Sequence, residues 1–432
     1  RKPSKMVKSD FRNLFRISLP SAANFIMLSF FFVLLEYLYY VFVYKLYGYG
    51  GFDFSMDVIF YLETKALFLL SFLALQLKKG NAFIYSVFYL LQIFLLIPNA
   101  ILFEFMHSDR IILYSIFLLV ISIPLLSIRN FSIKAISFKE NYKLLILLGF
   151  VLLLLVPIII DYGFDISSKA FSFSLVYDIR AESAAKSSKI SLYAYSWLGK
   201  VVLPLIIATG LIRKKYLMAI AALIVMIYLF LIAGHKSVLF SVFVVVLFVF
   251  VKDHYRQVSV LLIGIISMAI LAYIIYLFTG NLMPESIVVR RTFFIPAQLN
   301  QYYFEAFRES PVYLSHSIFS GLCEYPYEYK PSQWIAYLYY NDASKNANSG
   351  LISDAYMNFG LYGIPVFIFL FNLLINFLSG LKMDARYFGV FFLMIYVLLS
   401  SALFTSLLSH GIFFLVVLSV FLLSKTQTES RL

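Results

Sequence analysis

The chain has 432 residues, of which 62% are hydrophobic and only 13% charged, and it carries a formal net charge of +13. A mean hydropathy of +0.89 excludes a water-soluble globular protein, and a single cysteine, Cys323, excludes an internal disulfide framework. The positive charge admits an anionic surface or nucleic acid as partner until its distribution along the chain is read.

Twelve runs approach the roughly 20 apolar residues needed to cross about 30 Å of hydrocarbon. They cover approximately 18–44, 56–77, 83–104, 111–128, 144–161, 190–212, 216–233, 237–251, 257–279, 356–379, 387–406 and 410–424. No small-residue cleavage site follows the first run, so it is expected to remain in the protein. With the N-terminus inside, the inner segments are RKPSKMVKSDFR, KKGN, RNFSIKAISFKENYK, RKK, KDHYR, KMDAR and the C-terminal tail. They hold about 21 of the 35 Lys and Arg but about 5 of the 22 acids, the positive-inside bias of an N-in, C-in chain. The basic excess therefore orients the chain, and no nucleic-acid partner is expected. The expected fold is an all-α polytopic integral membrane protein with about 12 transmembrane helices, one transmembrane domain over 1–432. Two long loops, 162–189 and 280–355, face outward and form the expected active site.

Four ionisable residues fall within the spans: Glu36, Glu63, Lys65 and Lys200. The first three lie in outer halves, which suits a polar cavity open to the outside or a structural Glu–Lys pair. Lys200, in SWLGKVVLP, lies near the middle of its span. The first outer loop supplies Arg180 in VYDIRAES, and a tight hairpin supplies Lys236 in GHKS. The second supplies Arg290, Arg291 and Arg308 in VVRRTFFIPAQLNQYYFEAFRESP. Arginine presents a planar fork of donors that matches phosphate oxygens, and lysine a compact charge for the same target. Ion pairs with Asp178, Glu182, Glu305 or Glu309 are the competing reading, strongest for Arg308 beside Glu309.

Pro296 followed by AQLNQYYFEAFR places Leu299, Tyr302, Tyr303, Ala306 and Phe307 on one side at helical spacing. This predicts a short amphipathic helix lying on the membrane surface. Farther along, CEYPYEYKPSQWIAYLYYNDASKNANSG combines aromatic rings that stack on sugar faces with carboxylates, amides and hydroxyls that bond sugar hydroxyls. Glu324 and the tyrosines flanking Pro326, Tyr325 and Tyr327, are the candidates there, alongside Tyr302 and Tyr303; an interfacial aromatic belt has the same composition. His316 is the only histidine of this loop and a candidate general base, with Glu324, Glu328 and Asp354 competing. No His or carboxylate spacing makes a metal site.

The two outer loops with VYDIRAES and VVRRTFFIPAQLNQYYFEAF, the GHKS hairpin, and NSGLISDAYMNFGLYGIP leading into the next helix resemble the Wzy-type O-antigen and capsular polysaccharide polymerases. The resemblance covers roughly residues 170–380. It implies a glycosyltransferase of the bacterial inner membrane that moves a growing glycan from undecaprenyl pyrophosphate onto the non-reducing end of another lipid-linked repeat unit. The family's essential loop arginines fall on Arg180 and on Arg290 or Arg291, and Asp354 is the polar residue of the last motif. An arginine followed ten residues later by glycine, present in some members, is missing from both loops. Lys200, Lys236 and Arg308 would help bind the pyrophosphate, and His316 would serve as base. A chain-length regulator and a flippase of the same pathway are the implied partners, and no cofactor is required. An O-antigen ligase, which transfers finished polysaccharide to a lipid A core, shares these features. A flippase or transporter would show internal repeats and charges in inner halves, and the sequence has neither.

Overall fold

The computed structural model describes residues 19–77, 81–128, 132–133, 138, 140–164, 179, 182–183, 185–317, 319–321 and 323–423. Among them every regular element is helical. In chain order these are α1 (Ser21–Gly50), α2 (Val58–Leu77), α3 (Ala82–Met106), α4 (Arg110–Leu125), α5 (Glu140–Tyr162), α6 (Lys189–Ile212), α7 (Tyr216–Ala233), α8 (Lys236–Val249), α9 (His254–Thr279), α10 (283–306), α11 (Pro331–Tyr340), α12 (Leu351–Gly380), α13 (Ala385–Ser400), α14 (Leu403–Leu408) and α15 (Ile412–Leu423).

Eight of them are long and apolar enough to cross a membrane, and the chain is a helical membrane protein. The four other expected spans correspond to the shorter apolar helices α4, α8, α13 and α15. At 1.5 Å per residue the 16 residues of α4 reach about 24 Å, short of a full hydrocarbon thickness.

The chain divides into two compact units. The first comprises residues 1–129, 254–376 and 399–402, and the second comprises 130–253, 377–398 and 403–432. In the first unit, α9 packs along α1, and α2, α3 and α4 pack on one another. Asn81 and Asp109 cap α3 and α4, their side chains accepting the backbone N–H of Phe83 and Ile111. In the second unit, α6 packs against α5, α7 and α8. Gly234, with φ 64°, ends α7 in the left-handed conformation and lets the chain turn directly into α8.

Three prolines shape the long helices. Pro98, Pro204 and Pro296 each sit two residues after a π-helical stretch, at Gln92–Leu96, Leu198–Val202 and Ser286–Phe294. A proline inside a helix removes one N–H and presses on the carbonyl four residues back, and widening the preceding turn relieves that pressure. Pro296 therefore lies inside the continuous helix α10 and does not begin one.

The segment 280–355 builds a core of its own. Leu299 and Tyr303 of α10 and Phe307 just beyond its end pack with Val312, Ile335, Ala336, Ala347 and Met357. The opposite side of α10 is covered as well, with Ala297, Gln298, Asn300 and Phe304 all buried. The surface-lying amphipathic helix expected from the sequence is thus corrected to a helix enclosed on both sides. Its inward polar groups explain why: Gln298 donates to Gly50 O, Asn300 donates to Asn99 Oδ1, and Ser353 donates to Asn300 Oδ1. These side-chain amides tie α10 to α1, α3 and α12, and buried amides are stable only when bonded in this way.

The motif NSGLISDAYMNFGLYG folds as a broken helix. Phe359 and Gly360 leave helical geometry, with Gly360 at φ 58° and ψ −145°. The carbonyls freed at the break accept from the N–H groups of Val312 and Tyr313, and Asn358 Oδ1 accepts from Leu314 N. Gly350 admits no side chain, because a Cβ there would lie 2.2 Å from Leu399 O.

Candidate functional site

In the first unit three π-helical stretches converge, at Tyr39–Tyr44 of α1, Gln92–Leu96 of α3 and Ser286–Phe294 of α10. Phe294 meets the Tyr39 ring at 5.1 Å, and Phe293 meets Phe94 at 5.7 Å and Phe31 at 5.4 Å. Wide helical turns recur at functional sites, because they re-aim side chains that a regular helix would hold one residue apart.

Arg290 projects from the middle of the α10 π stretch. Its Nε and Nη2 donate to Ser286 Oγ at 3.2 and 3.1 Å, and its Cζ lies 4.1 Å from the Tyr47 ring centroid. The side chain is half-buried, and no carboxylate pairs with it among the described residues. Arg291 beside it is exposed and likewise forms no ion pair there. Burial raises the pKa of the nearby Tyr340 hydroxyl, and the Arg290 charge works in the opposite sense. About three turns of α10 farther on, Tyr302 stacks on Tyr339 at 3.8 Å with the rings 8° from parallel, and Tyr340 meets it edge-on. Burial, with Tyr340 and Glu305 adding to it, pushes the Tyr302 hydroxyl up to about 12. A partly buried guanidinium and a group of tyrosines thus occupy the α10 face that meets the end of α1.

His316 lies half-buried in the loop after α10, its ring 6.2 Å from that of Tyr325. Its Nδ1 is buried with no hydrogen-bond partner among the described residues, and burial lowers its pKa, so it is neutral at pH 7 and able to accept a proton. Glu324 is exposed in the same loop, whereas Tyr325 and Tyr327, on either side of Pro326, are half-buried against the loop core.

Other expected site residues have structural surroundings. Tyr303 is 1% exposed and donates to Ala347 O at 2.8 Å, so it belongs to the loop core and not to an open surface. Asp354 is 1% exposed in the first turn of α12, and its Oδ1 accepts from Asn358 Nδ2 at 2.9 Å. It supports Asn358, the residue that secures the helix break. Arg308 pairs with Asp109 at 2.8 Å, not with its neighbour Glu309. Lys200 and Lys236 belong to the second unit, Lys200 in the π stretch of α6 with Nζ 2.7 Å from His410 Nδ1, and Lys236 as the first residue of α8. Arg180 lies outside the described residues.

Two charged groups escape the sequence reading. Glu104 falls at the end of an expected span, yet it is fully buried, and it shares Lys65 with Glu36 and accepts from Thr64. Glu63 pairs with Arg110 and accepts from Tyr114, so these charges form compensated networks. The second group is Glu285, one π turn before Arg290. It is 0% exposed, and both of its carboxylate oxygens lack a hydrogen-bond partner among the described residues. Burial pushes its carboxyl up to about 7. Its sequence context, MPESIVV, gives no sign of enclosure, because only the fold wraps it. A cleft of about 620 Å³ opens at the far end of α10, where Gln301, Glu305 and Arg308 face Asp109 and Tyr327. No group of three or more metal-binding side chains occurs among the described residues.

Comparison of this chain with protein-family models, with curated proteins and with solved structures yields no match.

Proposed function

We propose that this chain is a membrane glycosyltransferase of the polysaccharide-polymerase type, acting on a glycan linked to a polyprenyl pyrophosphate. In this reading α4, α8, α13 and α15 complete twelve spans of an N-in, C-in chain, and 162–189 and 280–355 face the outer side of a bacterial inner membrane. The observation that carries the reading is the half-buried Arg290, held by a hydroxyl and an aromatic face with no carboxylate to neutralise it among the described residues. A cation desolvated without an anion has a large favourable energy to release when an anionic ligand arrives.

In the reaction, an acceptor sugar hydroxyl oxygen bonds to C1 of the donor glycan while the bond from C1 to the pyrophosphate oxygen breaks. The hydroxyl proton goes to a base, and the electron pair leaves with the pyrophosphate. Arg290 and Arg291 oppose the charge that develops on the leaving group, and one such preorganised donor is worth about 3 kcal/mol. His316, whose neutral form burial favours, is the base we assign. The energy resides in the lipid pyrophosphate, so no cofactor is needed.

The test is complementation of a polymerase-null strain of the native host with wild type, Arg290→Ala, Arg291→Ala and His316→Gln at matched expression. Wild type should restore a polysaccharide ladder, and Arg290→Ala should reduce it to single repeats on lipid A. Long chains accumulating on the lipid carrier would indicate a ligase instead, and full ladders from every variant would overturn the reading.

A further inference from the structure

The cleft at the C-terminal end of α10 has chemistry unlike that around Arg290. Its floor is Phe304, buried and stacked on Tyr356 at 3.9 Å, and its wall is Tyr327, fixed by a hydrogen bond from its hydroxyl to Ser310 O at 3.0 Å. Gln301 contributes an amide between them. A volume of about 620 Å³ falls within the range of small-ligand sites, roughly 300–1,000 Å³.

The charges decide what such a cleft would accept. Asp109 is already occupied, one oxygen capping α4 through Ile111 N and the other paired with Arg308. Burial raises the pKa of the Tyr339 hydroxyl and the Glu305 carboxylate adds to the rise, and neither Glu305 nor Glu309 forms an ion pair among the described residues. Three carboxylates against one guanidinium leave the cleft negative in a chain whose net charge is +13. From Arg290 to Glu305 is about 20 Å along α10, so one helix carries a cationic end and an acidic, aromatic end.

We propose that this cleft binds the sugar portion of an oligosaccharide, accepting neutral or amino-bearing sugars and disfavouring acidic ones. The Tyr327 ring takes a sugar face, Gln301 accepts from or donates to the ring substituents, the carboxylates accept from them, and Glu305 and Glu309 attract an ammonium and repel a uronate. The inference rests on the proposed function for its biological role, and gives that reading a substrate class.

The test uses the full chain in detergent and three tetrasaccharides, of glucosamine, N-acetylglucosamine and galacturonic acid, with affinities measured by titration calorimetry at two salt concentrations. The glucosamine tetramer should bind about tenfold tighter than the galacturonate tetramer, a difference of about 1.4 kcal/mol, with the neutral tetramer between. Glu305→Gln combined with Glu309→Gln should reduce that ratio to about threefold or less, while Asp342→Asn, an acid outside the cleft, should leave it unchanged. Equal or tighter binding of galacturonate, the order that the overall positive charge alone would give, overturns the inference, as does a ratio unmoved by the double variant. The glucosamine and N-acetylglucosamine tetramers carry no anionic group, so Arg290→Ala should not affect their binding. Tetrasaccharide binding as described, together with no polysaccharide made by wild type, would sink the proposed function alone.

Discussion

Lys65 and Arg290 are both cations set against aromatic rings in the first unit, yet among the described residues Lys65 is held by two carboxylates and Arg290 by none. Lys65 Nζ lies 3.7 Å from the Phe32 ring centroid and 2.5 Å from Glu104 Oε1, and it also pairs with Glu36. Arg290 lies against Tyr47 and has only a serine hydroxyl for its donors. A buried charge costs several kcal/mol in lost hydration, of order that repaid by a well-placed counter-ion. Where the counter-ion is built into the fold, the charge holds helices together. Where it is missing, the fold has been made to carry an uncompensated cation, and that is the expected condition of a binding site before its anion arrives.

Four single substitutions, one of them with a rescuing second change, would break or sharpen this contrast. Lys65→Met leaves Glu36 and Glu104 facing each other without a cation, and should cost about 3–5 kcal/mol of stability. Thermal unfolding in detergent would show it, and adding Glu104→Gln should recover a large part. Arg290→Ala should do the opposite, leaving the unfolding temperature almost unchanged while reducing glycan transfer about 10²–10³-fold in initial-rate assays. Equal stability losses in the two variants would erase the distinction between them.

Glu285 is intermediate, a buried carboxylate with no hydrogen-bond partner among the described residues. Its folded pKa, raised by burial to about 7, exceeds the unfolded value near 4.5. The stability it contributes is therefore complete below about pH 4.5 and is lost as pH rises through 7. Glu285→Gln should raise stability at pH 8 by on the order of 2 kcal/mol and flatten the profile between those limits. An unchanged pH profile would mean that the carboxylate has a partner in the folded protein. The smallest effect belongs to Arg308→Ala, which removes an exposed pair and should cost less than about 1 kcal/mol. It should also make the cleft more acidic and tighten binding of the glucosamine tetramer, and weaker binding would place Arg308 among the sugar's own contacts.

The apolar runs are legible because hydrocarbon thickness imposes their length, and each of the twelve corresponds to a helix, four of them short. The charge networks are legible only in part. Glu36 and Lys65 can be paired on paper, but their third member, Glu104, looks like the end of a span because sequence does not show where a helix stops being buried. The structural partners of Asp354 and Tyr303 are hidden for a related reason, since a sequence does not show which backbone and amide groups a polar side chain serves. The amphipathic pattern of α10 gives its helical phase correctly, but Gln298 and Asn300, which that pattern puts on the wet side, face partners on three other helices. Pro98, Pro204 and Pro296 each follow a π stretch, two of which carry Lys200 and Arg290, but Pro124 and Pro157 lie in helices that do not widen, so proline alone does not mark these sites in the sequence.

The most direct measurement of the central claim is the affinity of the detergent-solubilised chain for farnesyl pyrophosphate, a short soluble stand-in for the lipid carrier, beside farnesol and beside the Arg290→Ala variant. Wild type should bind the pyrophosphate and Arg290→Ala should bind it at least about tenfold more weakly, as loss of a charge-assisted hydrogen bond requires, with farnesol weak in both. Equal affinity of wild type and Arg290→Ala for farnesyl pyrophosphate would contradict the account.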